Sequence, residues 1–126
     1  LFRGVPAVLK ELSQDYQLAL YSNGHLDIVE NLLRKHGLRK YFEVIVTSET
    51  AVKPDPRGIE LILDHVKKRT GVMVDDDSVG IEAAKKAGIK SIGALYGMNP
   101  KQLLLSKPHA LVNSVTEVPL AVRKLI

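Results

Sequence analysis

The sequence has no cysteine among its 126 residues. That absence excludes a disulfide scaffold, thiolate catalysis, iron–sulfur ligation and Cys-type zinc sites, and it points to a reducing compartment such as the cytoplasm. No apolar run approaches the roughly 20 residues of a membrane span, so a membrane protein is not expected. No repeat or low-complexity tract occurs. The first residue is Leu1, and no basic segment followed by an apolar one stands behind it. The sequence therefore reads as a piece of a longer chain rather than as a signal peptide or a native start. Aromatics make up only 5%, and Tyr16, Tyr21, Tyr41 and Tyr96 stand apart, as packing residues rather than a platform for bases. Also missing are G-x-x-x-x-G-K-[ST], G-x-G-x-x-G after a strand, H-E-x-x-H and G-x-S-x-G. P-loop, dinucleotide, zinc-protease and nucleophile-elbow readings thus lack their key residues.

What is present has the balance of one soluble domain, 45% apolar and 25% charged, with no shift in composition to mark a second. The net charge is +4, and its placement argues against a nucleic-acid footprint. Arg34, Lys35 and His36 precede Gly37; Lys67, Lys68 and Arg69 precede Gly71; Lys85 and Lys86 precede Gly88. Each cluster reads as a helix end, with cations set against the dipole and a glycine supplying the left-handed cap.

Apolar spacing follows two patterns. Val5, Val8, Leu9 and Leu12 fall at i, i+3, i+4, i+7, as do Ile59, Ile62, Leu63 and Val66, and Val118, Ala121, Val122 and Leu125; these predict amphipathic helices. Thinner stripes predict two more helices, one after Asn23 or His25 and one around Ile81 to Ala87. Between them lie short runs, Gln17 to Tyr21, Val44 to Val46, Val72 to Val74, Ser91 to Leu95 and Ala110 to Val112. Their length and β-branched content predict strands buried on both faces. Strand alternating with helix predicts a doubly wound α/β fold with a parallel sheet.

In such a sheet ligands bind beyond the carboxyl ends of the strands. There stand Ser22-Asn23-Gly24, Thr47-Ser48-Glu49, Lys53-Pro54-Asp55-Pro56, Asp75-Asp76-Asp77, and Gly97 with Asn99. Ser22, Asn23 and Gly24 precede a predicted helix, whose open N–H groups make an anion site. Lys53, in a loop stiffened by two prolines, can offer a point charge to phosphate. Three consecutive aspartates call for a cation, and magnesium suits one or two carboxylates with a phosphate and waters. The alternative to a cation at this turn is that Asp77 or Ser78 is only the cap of the helix starting near Val79.

The order Tyr21-Ser22-Asn23-Gly24, then Val52-Lys53-Pro54-Asp55-Pro56, then Val74-Asp75-Asp76-Asp77 with Ile81-Glu82-Ala83-Ala84-Lys85-Lys86-Ala87-Gly88, resembles the haloacid dehalogenase superfamily, in its phosphoglycolate-phosphatase-like branch. The resemblance implies a Rossmann-like three-layer parallel sheet with helices on both faces, here a single partial core over 1–126 without its N-terminal strand and cap. It implies a magnesium-dependent phosphatase of a small phosphorylated metabolite working through an aspartyl-phosphate intermediate. Ser22 would hydrogen-bond the phosphoryl group beside Asn23 and Gly24, Lys53 would neutralise charge, and Asp76 would hold Mg2+ with Asp75 or Asp77 as helper.

Two departures stand out. The family's Asp-x-Asp nucleophile segment is absent, since Asp75 to Asp77 is the sole D-x-D here. In the family's fourth motif, the glycine is replaced by Asp75 and the second aspartate by Gly80. The attacking carboxylate is therefore expected from an upstream segment, and this stretch by itself is expected to be inactive. Without the middle strand the sheet should fall into two halves, inviting self-association or pairing with that segment. Hydrolytic dehalogenation of a 2-haloacid is the alternative within the family, and a non-catalytic binding or scaffold domain the alternative outside catalysis. Neither a nucleic acid nor a membrane is an expected partner.

Overall fold

A computed structural model describes residues 3–97 and 99–126. Among these residues six helices and five strands alternate: α1 Val5–Asp15, β1 Leu18–Tyr21, α2 Leu26–Lys35, β2 Phe42–Val46, α3 Arg57–Val66, β3 Val72–Asp75, α4 Ser78–Ala87, β4 Lys90–Ala94, α5 Pro100–Leu105, β5 Ala110–Val112 and α6 Val118–Leu125. Among the described residues no helix is long and apolar enough to cross a membrane. The predicted strands all form, with ends shifted by a residue or two. The short α5 and the 3₁₀ turns at Arg39–Tyr41 and Val115–Glu117 were not foreseen.

Among the described residues all pairings are parallel and make two sheets: β1 beside β2, and β3-β4-β5. The registers run Leu20 against Ile45 and Tyr21 against Val46 in the first, Val74 against Ile92 and Asp75 against Gly93 in the second. Successive residues point to opposite faces, so one strand serves two layers. On one face Leu20 and Ile45 pack with Val29 and Leu33 of α2, while Ile92 and Val112 pack with Val8 and Leu12 of α1 and Val122 of α6. On the other, Tyr21 and Val46 meet Ile59 of α3 and Ala83 and Ala84 of α4. Val5 of α1 packs on both clusters of the first face. Helices thus join two half-sheets between which, among the described residues, no strand pairing runs.

Between the halves a cavity of about 1040 Å³ opens, lined on one side by β1 and on the other by β3, with side chains of α1, α3 and α6 above and below. This corrects the expectation that every strand is buried on both faces. Strand β4, central in its sheet, is buried from Ser91 to Ala94. Strand β3 borders the cavity, and Val74 is 37% exposed.

The helix ends hold one further correction. Gly37 and Gly88 adopt the left-handed conformation beyond α2 and α4, as predicted. Gly71 does not. Helix α3 stops at Val66 and Lys67 itself takes the left-handed cap, φ 57°, so Lys67, Lys68 and Arg69 lie past the helix rather than in its last turn.

Candidate active site

The carboxyl ends of β1 and β3 and the loop after β2 meet at one end of the cavity, where Ser22, Lys53 and Asp75 share its lining. Ser22 follows β1 directly. Its N–H continues the ladder to Val46 O at 2.9 Å, which fixes where the side chain leaves the sheet. Its hydroxyl oxygen accepts the Gly24 N–H at 3.0 Å, so the hydroxyl hydrogen remains to be donated. Gly24 O in turn accepts both the N–H and the hydroxyl of Ser48, each at 3.1 Å. The Ser22–Gly24 turn is therefore braced from β2, which gives Ser48 a structural part at the site's edge.

The predicted anion site at the start of α2 is only partly open. The Leu26 N–H is bound by the Glu49 carboxylate at 3.1 and 3.0 Å, and the same bond holds that carboxyl below its ordinary range. Asp27 takes the Ile28 N–H at 2.9 Å. A neighbouring carboxylate and the helix's own side chain thus occupy donors that the sequence suggested for a ligand. His25, the N-cap residue, lies 3.9 Å from Glu49 with its side chain 71% exposed, a surface histidine.

Asn23 does not point at the cavity mouth. Its Oδ1 accepts the Lys53 N–H at 2.8 Å and its Nδ2 donates to Lys53 O at 3.4 Å. One side-chain amide so clamps both backbone groups of the lysine. The loop is held again from below: the Tyr21 hydroxyl donates to Asp55 O at 2.8 Å, Asp55 caps the start of α3 through Arg57 N–H at 2.9 Å, and the Lys53–Pro54 peptide is cis. Tyr21 lies flat on Gly58, where an added Cβ would stand 2.3 Å from the ring. Burial and the Asp55 charge push its phenol up. Tyr21 was foreseen as a packing residue; that it anchors the lysine loop was not, although its place next to Ser22 was a signal.

Lys53 then reaches into the site. Its Nζ lies 2.7 Å from Asp75 Oδ2, in a pair whose side chains are 12% and 8% exposed, and 6.0 Å from the centre of the Tyr21 ring. Such a pair is desolvated, so breaking it strands a buried charge.

The three aspartates take three different places. Asp77 is the N-cap of α4, accepting the Val79 N–H at 3.3 Å. Asp75 binds Lys53 and accepts the Asp77 N–H at 3.0 Å. Asp76 packs against Gly97, where an added Cβ would stand 2.2 Å from its own Cβ. Glycine is required there by close approach. Among the described residues no three His, Cys, Asp or Glu side chains converge as a cage for a metal.

Burial, a hydrogen bond with Asp75 and the charges of Asp75 and Asp77 push the Asp76 carboxyl above its ordinary range. Tyr96, raised by its own burial and then by the Asp76 charge, stands close by. The sign of the consequence is fixed: with a raised folded-state value, the native state binds more protons than the unfolded one, so stability falls as pH rises through the carboxylate range, from about pH 4 upward. In metal-free buffer Asp76→Asn should raise Tm at neutral pH and remove that part of the decline. Thermal melts from acid to neutral pH check this, and an Asp76→Asn protein less stable at pH 7 would contradict it.

Against known proteins, the model of the haloacid dehalogenase-like hydrolase family matches residues 1–94. A phosphoglycolate phosphatase of Vibrio parahaemolyticus is 32% identical over 124 residues, 94% of this chain and 54% of its own. The pyrophosphatase PpaX of Listeria welshimeri is 28% identical over 97% of this chain and 59% of its own. The chain thus spans little more than half the length of these relatives. A solved structure from Thermotoga maritima superposes with a TM-score of 0.86 at 30% identity, covering 99% of this chain and 61% of that one. Another, from Haemophilus somnus and described as a predicted phosphoglycolate phosphatase, has a TM-score of 0.90 at 24% identity, covering 96% and 56%, a likeness of fold alone.

Proposed function

The chain belongs to the haloacid dehalogenase-like hydrolase family, and from that premise we propose that it forms the phosphate-binding part of a phosphatase core acting on a small phosphorylated metabolite. One observation supports this most: a hydroxyl, an ammonium and the aspartate turn, from Ser22, Lys53 and Asp75, line one end of a gap between two parallel strand edges. The gap has the surroundings of a strand and the end of it has the chemistry of a phosphate site. The attacking group would be a carboxylate at the carboxyl end of a strand seated there, from residues outside these 126.

In that arrangement the carboxylate oxygen bonds to phosphorus as the bond from phosphorus to the metabolite's oxygen breaks, and that oxygen takes up a proton. Water then cleaves the acyl phosphate, releasing inorganic phosphate and restoring the carboxylate. Ser22 donates its hydroxyl hydrogen to a phosphoryl oxygen. Lys53 sets its positive charge beside nucleophile and phosphate, where burial makes it count for more than it would in water. Asn23 and Tyr21 hold the lysine loop to the ends of the strands.

The donor chemistry fits a magnesium ion. With Asp77 spent on the helix cap and Asp75 on Lys53, Asp76 is a carboxylate whose charge is costly where it stands, and magnesium is often held by one or two carboxylates together with phosphate and water. Asp76 would hold it, and when bound the ion neutralises charge on the phosphoryl oxygens.

The test is phosphate release by the natural-length protein from an aryl phosphate, phosphoglycolate and pyrophosphate, with magnesium and with a chelator. Release that requires magnesium is expected from at least one of them. Binding of inorganic phosphate with no turnover on any would favour a non-catalytic phosphate-binding domain instead.

A further inference from the structure

Ser22 stands between the two residues that hold the lysine loop. Asn23 takes the Lys53 backbone at both its N–H and its carbonyl. Tyr21 takes the other end, donating its hydroxyl to Asp55 O at 2.8 Å, and between the two the Asp55 N–H closes a turn on Val52 O at 2.9 Å. Held at one residue alone, such a loop could pivot about it; held at Lys53 and at Asp55, it cannot. The place of the lysine relative to the Ser22 hydroxyl, with which it shares the cavity lining, is thus set by Ser22's own neighbours in the chain.

Tyr21 reaches the Asp55 carbonyl because position 58 has no side chain. A Cβ built on Gly58 would stand 2.3 Å from Tyr21 Cζ, 2.5 Å from Cε2 and 2.6 Å from Cε1, so the hydroxyl end of the ring lies where that atom would be. Nothing in the backbone asks for glycine there: Gly58 is the second residue of α3 and is not among the residues with positive φ. In a helix, glycine is a poorer choice than alanine. The tyrosine supplies the reason for it. Burial and the Asp55 charge push the phenol up, a hydrogen bond from the Gly58 backbone pulling the other way, so the hydroxyl keeps the proton that it gives to Asp55 O. With 5% exposure and that proton spent, Tyr21 acts through the loop and not on a ligand.

We infer that Tyr21 is a positioning residue that sets Lys53 against Ser22, and that Gly58 is glycine on its account, the ring standing in for a side chain at position 58. The inference rests on the phosphatase reading only for what Ser22 and Lys53 do once they are in place.

The test uses the natural-length protein, first without substrate. Tyr21→Phe keeps the ring and removes the bond to Asp55 O. Amide hydrogen exchange at Lys53 and Asp55 should quicken by about threefold to tenfold, the scale of one hydrogen bond, relative to the Ser22 amide, which the strand ladder holds. Gly58→Ala should lower Tm in the wild-type background and raise it in a Tyr21→Val background, where the ring is gone and alanine is the better helix former. Equal change at all three amides, or none, would overturn the positioning role. A Gly58→Ala effect of the same sign in both backgrounds would overturn the account of Gly58. Neither readout needs turnover, so both stand apart from the phosphatase reading. Where phosphate release is measured, Tyr21→Phe should lower kcat by a similar factor and leave KM within twofold; a wild-type kcat would mean that Lys53 finds its place without the hydroxyl, and the role would have to be given up.

Discussion

Lys53→Ala in the natural-length protein is expected to cut phosphate release by about tenfold to a thousandfold, the scale of removing one preorganised electrostatic stabiliser. The loss should fall mainly on kcat. Charge on the transferring group and its nucleophile is redistributed in the transition state, and an ammonium fixed at 12% exposure cannot be replaced by water that would have to reorganise there. Lys53→Arg should recover little of it. A planar guanidinium is larger than an ammonium and presents a fork rather than a point charge, in a space bounded by Asp75, the Tyr21 ring and the Asn23 clamp. Asp76→Asn should lose rate on the same scale while gaining stability without metal, as expected where a group is kept for function at a cost in stability. Rates for Lys53→Ala within twofold of wild type would place the site elsewhere.

The order of elements was legible because it rests on local patterns. Ile59, Ile62, Leu63 and Val66 could be read as a helix face, and Val72 to Val74 as a strand, before any tertiary contact was known. The same holds for Asp77 as a cap, since the cap is a matter of one side chain and an N–H two residues on. Helix α5 was missed because six residues carry too little periodicity to show a face.

The site was legible as a set of residues but not as a division of tasks. Asn23 was read beside Ser22 as a phosphate ligand, yet it is spent on the backbone of Lys53, 30 positions away. Glu49 was visible in the sequence, but its reach across to Leu26 depends on the β1–β2 pairing. The three aspartates are chemically identical in sequence. They separate only through what surrounds each: a helix start, a lysine, and a glycine at position 97 that leaves room for Asp76.

The 126 residues expressed by themselves are expected to associate, or to be marginally folded, and to release no phosphate. The reason lies in the gap between β1 and β3. The gap of about 1040 Å³ is lined by apolar side chains and by two strand edges, surface of the kind that a folded domain gains stability by burying. Water could fill it only by wetting apolar side chains of α1, α3 and α6 that line it, and by hydrating two rows of strand N–H and C=O groups. Those rows are open edges flanked by Leu18, Leu20, Val72 and Val74, the type of edge that recruits another strand. Under the proposed function a further strand would fill the gap and bring an attacking carboxylate to Ser22 and Lys53; for these 126 residues by themselves, a second copy offers the nearest substitute. Sedimentation should accordingly reveal dimers and larger species that grow with concentration. Urea should unfold what remains monomeric with a slope below the ordinary range for a small domain, about 1–3 kcal/mol per M, because less surface is buried to begin with. A monomer that melts in one cooperative step of ordinary steepness would mean that the two half-sheets close on each other, and the proposed seat of the nucleophile strand would have to be given up.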